Sequence, residues 1–211
     1  MWNSEKQLAL FRLCFIMILV RKKGVLMRNQ IYNLIKQISP IDNLESDHIQ
    51  NALDWIDSGA DIFRIKKHKT PPKHLVSYAV VIDIKNKKIL LTEHKKSGLW
   101  LPTGGHVEIN EFPQITAERE LEEELSVKPS LITAIPLFLT VTETVGNPEY
   151  IHTDVSLWYL MNGNCKQDFK YAEEEFHSIK WFDFDKIPYG KTDEHFERFM
   201  KKLKFFLKER E

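Results

Sequence analysis

The stretch that most constrains the fold of this chain runs from Gly105 to Val127. Asn110 is a favourable N-cap residue for a helix that would follow. Pro113 falls in the first turn of that helix, where a missing backbone N–H is tolerated. From Pro113 to Leu125 no residue breaks a helix, and most favour one. The sequence therefore predicts a glycine-containing segment that leads directly into one continuous helix.

Three carboxylates gather on one side of this predicted helix. They flank an apolar stripe that would face the core, formed by Ala117, Leu121 and Leu125. Glu120, Glu123 and Glu124 have the i, i+3 and i+4 spacing at which like charges repel by roughly 0.2–0.5 kcal/mol per pair. Arg119 is the only basic residue of the helix. A divalent cation would relieve the repulsion, and carboxylate oxygens suit Mg²⁺ or Mn²⁺; the alternative is a solvated acidic face.

The residues upstream favour the metal-binding interpretation. An apolar strand end that begins at Trp100 leads into Gly104 and Gly105, and paired glycines allow a ligand close to the backbone. A strand, a glycine turn and an acidic helix in this order resemble the Nudix box of the MutT-like Nudix hydrolases. The matching positions are Gly105, Glu111, Arg119, Glu120, Leu121, Glu123, Glu124 and Val127. Ser126 departs from the family glycine, and we expect it to change how the helix ends.

The resemblance implies a role for each matching residue. Glu120 and Glu124 would hold Mg²⁺, with Mn²⁺ as the alternative ion, and Gly105 would offer a carbonyl ligand. Glu123 would bind metal or assist the attacking water. Arg119 would orient the glutamates through ion pairs. Together they form the implied catalytic and metal-binding set.

Nudix enzymes often recruit one more acid from a late loop. Glu174 is the catalytic candidate for that role, and Glu173 and Glu175 remain open alternatives. The candidate substrate-binding residues are Gly104, Gly105, Lys95, His152 and Asp154. Lys95 precedes the glycine turn and would reach a phosphate, although an exposed solubilising loop explains it equally well.

The histidines are interpreted by their position in predicted elements. His152 and Asp154 fall on the same face of a predicted strand, where substrate contact and a structural pair are both consistent with the spacing. His74 adjoins a proline-containing linker and is interpreted as a surface histidine.

Composition limits the classes of partner. The chain has 211 residues with 30 basic and 30 acidic side chains, which argues against a chain-wide electrostatic grip on nucleic acid or an anionic membrane. An apolar run from Leu8 to Val20 is too short to span a bilayer. Cys14 and Cys165 are isolated, which fits a reducing cytoplasm. The resemblance to the Nudix hydrolases, and not the composition, implies a small-molecule nucleotide as the partner.

The chain divides into three predicted parts. Residues 1–26 are an uncertain leader, with Met27 as an alternative start. Residues 27–72 form a small helical module, which would pack on the next domain or on a second copy in a homodimer. Asp42 would cap the second helix of this module. Thr192 would cap the helix that closes the next domain. Residues 73–211 resemble the Nudix α/β/α sandwich, an α/β fold with a mixed sheet between helices.

The predicted function is Mg²⁺-dependent hydrolysis of a nucleoside diphosphate linked to another group. The products would be a nucleoside monophosphate and a phosphorylated compound, or pyrophosphate from a triphosphate. ADP-ribose, a CDP-alcohol and a (d)NTP remain open as substrates. The alternative is a non-catalytic Nudix domain that binds a nucleotide or an RNA end as a sensor.

Overall fold

The computed structural model describes residues 24–66, 70–144 and 148–210, and this part of the chain contains four α-helices and seven strands. The helices are α1 over residues 24–35, α2 (Asn43–Asp57), α3 (Pro113–Leu125) and α4 (Phe196–Lys208). The strands are β1 (Lys73–Asp83), β2 (Lys88–His94), β3 (Trp100–Leu101), β4 (Thr103–His106), β5 (Phe138–Glu143), β6 (Thr153–Asn162) and β7 (Phe176–Asp183). No helix among these residues is long and apolar enough to cross a membrane.

All seven strands belong to one mixed sheet. The order of its main path is β3-β2-β1-β6-β5, with β4 paired to β1 and β7 paired to β2. The long strand β1 runs parallel to β6 and antiparallel to both β2 and β4. It therefore carries the glycine strand β4 on one side and β6 on the other, which brings both beside the start of β1.

Alternation along β1 separates two hydrophobic cores. Leu75 and Ala79 face the core that contains α3, whereas Val80 and Ile82 face the core that contains α4. Successive side chains of a strand point to opposite faces, so each face is covered by helices. The predicted α/β sandwich with a mixed sheet is confirmed.

The N-terminal helices dock on the sheet through both apolar and ionic contacts. Asp42 caps α2 by accepting a hydrogen bond from the Glu45 backbone at 2.8 Å. Glu45 is fully buried, and its carboxylate accepts a hydrogen bond from Lys202 of α4 at 2.6 Å. Asp42 also pairs with Arg198 at 2.5 Å. The predicted helical module therefore packs directly on the following domain.

Two predicted helix starts are wrong. Phe112, and not Asn110, is the N-cap of α3, and Asn110 instead has a left-handed backbone with φ of 63°. His195, and not Thr192, is the N-cap of α4, because Thr192 ends a short 3-10 turn. In both cases a turn lies between the polar residue and the helix.

Two further predictions concern helix ends and domain limits. Ser126, in place of the family glycine, ends α3 in the left-handed conformation, with φ of 53°. The described helix α1 extends across the predicted boundary at Met27. Most of the predicted leader, residues 1–23, lies outside the described residues, so the domain limits stay a prediction.

Candidate active site

The carboxylates of helix α3 differ in their exposure to solvent. Leu121 and Leu125 anchor the helix in the core. Glu124 follows them inward and is 7% exposed, whereas the Glu123 side chain is 60% exposed and Glu120 lies between these extremes. The helical spacing thus produces a gradient from a buried to an accessible carboxylate within one turn.

Arg119 holds the acidic groups together. Its guanidinium donates to both carboxylate oxygens of Glu111, at 3.0 and 3.1 Å, and to Glu120 at 2.8 Å. A fourth contact reaches Glu123 at 3.1 Å. Hydrogen bonds to Glu111 raise the pKa of Arg119, so this side chain stays charged. It fixes the carboxylates of Glu111, Glu120 and Glu123 through these hydrogen bonds.

Glu124 is the carboxylate that these contacts leave without a counter-charge. Its Oε2 is buried and has no hydrogen-bond partner among the described residues. Burial, reinforced by the charges of Glu120 and Glu175, raises the pKa of Glu124 to about 9, and only the Gly104 backbone opposes this rise. Burial also raises the pKa of Glu120. The site therefore concentrates negative charge in a partly dry environment.

The two glycines of β4 are required by close packing. A Cβ at Gly105 would collide with the carboxylate of Glu120, and a Cβ at Gly104 would collide with the carbonyl of Ser77. Gly105 pairs with Ser77 in the β1–β4 ladder. The glycines thus let the backbone of β4 approach the acidic helix directly.

A cavity of about 400 Å³ opens beside this arrangement. Glu120 and Arg119 line one part of it, and Arg64 and Lys66 from the segment before β1 line another. His106, which follows Gly105, also borders the cavity. Acidic and basic groups thus face one volume, which suits a ligand that carries phosphates together with a cation.

The late acidic run approaches the site through Glu175. The charge of Glu175 raises the pKa of both Glu120 and Glu124. Lys95 donates a hydrogen bond from its Nζ to the backbone carbonyl of Glu173, and its own N–H donates to the Glu175 carbonyl at 2.9 Å. Lys95 thus ties the loop after β2 to the loop that carries these acids. Glu174 is exposed and, within the part of the chain that the structure describes, makes no hydrogen bond or ion pair with the glutamates of α3.

His152 and Asp154 lie on a common face, as their spacing predicts, and their ring nitrogen and carboxylate oxygen are 3.2 Å apart. They are joined by His74 and His106 in one cluster. The interpretation of His74 as a surface residue is wrong, because it is fully buried. Burial lowers the pKa of His74 and of His106, whereas the Asp154 carboxylate raises the pKa of His152.

Sequence reasoning missed four residues of this region: Arg64, Lys66, His74 and His106. Lys66 begins the predicted proline-containing linker and Arg64 lies just before it, and only the tertiary fold brings them to the cavity. His106 had a usable signal, because it directly follows the paired glycines. The positive charge of the linker region was a weaker signal that Arg64 and Lys66 belong to the site.

A family model described as the NUDIX domain matches residues 72–203, which is more than half of the chain. The chain belongs to the Nudix hydrolases, enzymes that act on pyrophosphate bonds. The m7GpppN-mRNA hydrolase NUDT17 of Xenopus laevis is 41% identical over 58 residues, which are 25% of this chain and 20% of that relative. The chain therefore matches only a fifth of the length of that relative.

Two solved structures are similar to this chain. An Ap4A hydrolase from C. elegans, determined as a binary complex, shares 17% identity and a TM-score of 0.52, covering 63% of this chain and 96% of that one. A NUDIX-family hydrolase from Clostridium perfringens shares 23% identity and a TM-score of 0.40, covering 53% of this chain and 82% of that one. The first of these likenesses supports the Nudix fold and says nothing about the substrate.

Proposed function

We propose that this chain hydrolyses the pyrophosphate bond of a nucleoside diphosphate linked to another group, and that it requires Mg²⁺, with Mn²⁺ as the alternative ion. The products are a nucleoside monophosphate and a phosphorylated compound, or pyrophosphate from a (d)NTP. The observation that carries the proposal is the buried, unpaired Oε2 of Glu124 beside the Glu120 carboxylate. A carboxyl group in these surroundings is costly to ionise without a partner, and a cationic ligand would stabilise its charged form.

A divalent cation fits these residues on two observations. Glu124 has an orphan oxygen, and the pKa values of Glu120 and Glu124 are raised by burial and by mutual repulsion. Hard carboxylate and carbonyl oxygens are the ligands that Mg²⁺ prefers. Glu120, Glu124, Glu123 and the Gly105 carbonyl are the proposed ligands. When bound, the ion supplies charge neutralisation on the phosphates and a lower pKa for the attacking water.

The remaining residues bind and orient. Arg64 and Lys66 line the same cavity as Glu120 and supply positive charge for the phosphate oxygens of the substrate. The bare backbone at Gly104 and Gly105 lets the diphosphate lie close to β4. Arg119 keeps Glu120 and Glu123 in fixed positions through its hydrogen bonds, and it acts as a positioning residue.

One late acid completes the proposed set. Glu175 is preferred over Glu174, because its charge acts on both Glu120 and Glu124. It would accept a proton from the attacking water, or hold that water through a hydrogen bond. Lys95 positions this acid through its contacts to the backbone of Glu173 and Glu175, which replaces the direct phosphate contact that the sequence suggested.

The substrate is proposed as a small nucleotide derivative, with ADP-ribose, a CDP-alcohol and a (d)NTP as the classes to compare. The relatives include an mRNA-cap hydrolase and an Ap4A hydrolase, so capped RNA and dinucleoside polyphosphates belong in the same comparison. A cytoplasmic location and a homodimer complete the proposal.

The test is a panel of these compounds incubated with the full chain and Mg²⁺, with products identified by mass. The matched variants are Glu124→Gln and Glu122→Gln, which lie on the same helix. Glu122 is exposed and makes no side-chain contact with the site. We expect cleavage that is abolished in the first variant and unchanged in the second. Tight nucleotide binding without any cleavage would instead support the non-catalytic sensor and overturn the proposal.

A further inference from the structure

Three histidines and one aspartate converge where three neighbouring strands meet. His74 lies near the start of β1 and pairs with Asp154 across the parallel β1–β6 ladder. His106 is the last residue of β4, and His152 directly precedes β6. One ligand atom from each of the four residues lies within 4.8 Å of all the others. These residues are called the histidine cluster below.

The carboxylate oxygen Oδ1 of Asp154 faces the Nε2 atoms of all three histidines in the cluster. It is 3.2 Å from Nε2 of His152, 3.5 Å from Nε2 of His74 and 3.9 Å from Nε2 of His106. A tetrahedron built from zinc–ligand bonds of roughly 2.0–2.1 Å has edges of about 3.3 Å. The three separations lie close to that edge, and small side-chain rotations would equalise them.

The polar atoms that face one another in the cluster lack partners. Nε2 of His74, Nε2 of His106 and Oδ1 of Asp154 are buried and make no hydrogen bond among the described residues. His74 is 0% exposed, and its Nδ1 lies 2.9 Å from the carbonyl oxygen of Pro71. Because a carbonyl oxygen only accepts, Nδ1 of His74 carries the hydrogen in the neutral ring and Nε2 presents a lone pair.

His152 is held in the same way. Its Nδ1 lies 2.6 Å from the carbonyl oxygen of Tyr150, which leaves Nε2 of the neutral ring as a lone pair. Lone pairs of His74 and His152 thus point at an ionised carboxylate, so acceptors face acceptors. An Nδ1–H bound to a backbone carbonyl and a free Nε2 is the arrangement that orients metal-ligating histidines.

We infer that His74, His106, His152 and Asp154 form a binding site for a divalent transition-metal ion, and that Zn²⁺ is the ion their chemistry fits best. Imidazole nitrogens suit Zn²⁺, whereas Mg²⁺ prefers oxygen ligands throughout. Four protein ligands fill a tetrahedral shell, which is typical of a structural site. The ion joins β1, β4 and β6, and it fixes His106 directly after the glycine that faces Glu120.

Two positively charged groups of the chain itself are alternatives to a metal ion as partners of the Asp154 carboxylate. A protonated His152 paired with Asp154 would satisfy one contact but leave Nε2 of His74 and Nε2 of His106 without partners. Arg64 interacts with Asp154 through its charge, yet within the described residues it makes no ion pair or hydrogen bond with the cluster. Neither group satisfies all three orphan atoms, whereas one bound cation does.

The test uses the full chain stripped of metal by a chelator. Zn²⁺ is added with an excess of Mg²⁺, which occupies the carboxylates of α3, and the desalted protein is assayed for zinc. We expect one Zn²⁺ per chain in the wild type and at least about 100-fold weaker binding in His106→Gln and His152→Gln. Co²⁺ in the same site should give the visible spectrum of four-coordinate cobalt with histidine ligands.

Matched variants separate this site from the proposed catalytic centre. His177→Gln changes an exposed histidine outside the cluster, and Glu120→Gln changes a carboxylate of α3; both are expected to retain zinc. Zn²⁺ should raise the Tm of the wild type and leave that of His106→Gln unchanged, with circular dichroism reporting the fold of each variant. A wild type that elutes without zinc, or zinc that is lost in Glu120→Gln and kept in His106→Gln, would overturn the inference. Cleavage of nucleotides by a zinc-free wild type would leave the proposed function intact.

Discussion

Two parts of the molecule each bury one glutamate: the junction between α2 and the sheet, and helix α3. The surroundings of the two glutamates differ strongly. Glu45 at the junction is fully buried and accepts hydrogen bonds from Lys202 at 2.6 Å and from the Ile41 and Leu139 backbones at 2.8 and 3.3 Å. Glu124 on α3 is 7% exposed, and its Oε2 has no hydrogen-bond partner among the described residues. One carboxylate is fully satisfied, and the other is left open.

The charges near the two glutamates shift their pKa values in opposite directions. Burial raises the pKa of both glutamates, but Lys202 opposes the rise at Glu45 whereas Glu120 and Glu175 reinforce it at Glu124. A buried charge persists in a fold only when a partner compensates it. Glu45 has that partner within the chain. Glu124 has no such partner among the described residues, and the proposed cation would supply it.

The largest effect should come from Glu124→Gln. We expect kcat to fall by at least about 1,000-fold, which corresponds to about 4 kcal/mol of transition-state stabilisation lost with the cation ligand. Stability in urea at neutral pH, without metal, should stay nearly equal, because the amide replaces a buried carboxyl group that is already protonated. The control is Glu45→Gln, for which we expect the converse: nearly normal kcat and lower stability. Equal losses of kcat in both variants would break the distinction between the two glutamates.

The second effect concerns the junction itself. Lys202→Met leaves Glu45 buried without its counter-charge, and we expect a loss of about 3 kcal/mol in the free energy of unfolding. The double variant Glu45→Met with Lys202→Met replaces the pair by apolar groups and should recover most of that loss. Urea denaturation of the two single variants and the double variant measures the coupling energy. A strictly additive result would show that the two side chains do not stabilise the junction as a pair.

The third effect is the pH dependence of metal binding. Because the pKa of Glu124 is raised to about 9, this carboxyl group holds a proton at neutral pH in the metal-free protein and must release it to bind a cation. The apparent affinity for Mg²⁺ should therefore rise with pH up to about pH 9, by at most about tenfold per pH unit. The sign for stability is the opposite. A raised folded-state pKa contributes stability to the metal-free protein that is lost as the pH rises through about 9.

Calorimetric titration with Mg²⁺ in buffers of different ionisation enthalpy measures both the affinity and the protons released. Glu45→Gln should keep the pH dependence, because Glu45 belongs to the junction and not to the metal site. Glu124→Gln should remove most of it. An unchanged pH profile in Glu124→Gln would assign the released proton to another group.

The sequence predicted what depends on neighbours along the chain. The cap at Asp42 and the helix from Pro113 to Leu125 follow from local hydrogen bonding and helix propensity, and both match the structure. The resemblance supplied the carboxylates of α3 as candidates because its spacing is long and specific. It could not show that the buried Oε2 of Glu124 has no hydrogen-bond partner among the described residues, since that depends on which side chains other elements bring to it.

The wrong and missing predictions share one cause. Asn110 and Thr192 are good caps by composition, but each lies in a turn that the local sequence does not reveal. His74 follows two prolines and reads as exposed, yet pairing of β1 with β6 buries it against Asp154. Arg64 lines the cavity because the segment before β1 lies beside that strand, where the Leu75 N–H donates to the Ile62 carbonyl at 2.9 Å. The errors at His74 and Arg64 concern contacts made across the fold, and all four depend on a conformation or packing that the local sequence does not determine.

The smallest expected effect concerns the residues that follow the C-terminal ends of α2 and α3. Helix α2 is followed by Gly59 with φ of 81°, whereas α3 is followed by Ser126 with φ of 53°. Both positions have the left-handed backbone, which costs a residue with a side chain roughly 1–2 kcal/mol. A glycine at position 126 would remove this cost. Part of the gain in stability is lost, however, because glycine is more flexible in the unfolded chain. Ser126→Gly should therefore raise the free energy of unfolding by about 0.5–1 kcal/mol.

The reciprocal change Gly59→Ser should lower stability by a similar amount. A Cβ at Gly59 would meet no atom within 4 Å, so its cost comes from the backbone conformation alone. Lys128→Gly, at an exposed position without positive φ, controls for flexibility and should be neutral or destabilising. Urea denaturation of the three variants measures these differences. If Ser126→Gly also changes kcat, the end of α3 positions Glu124, and the serine that replaces the family glycine contributes to the site as well as to the fold.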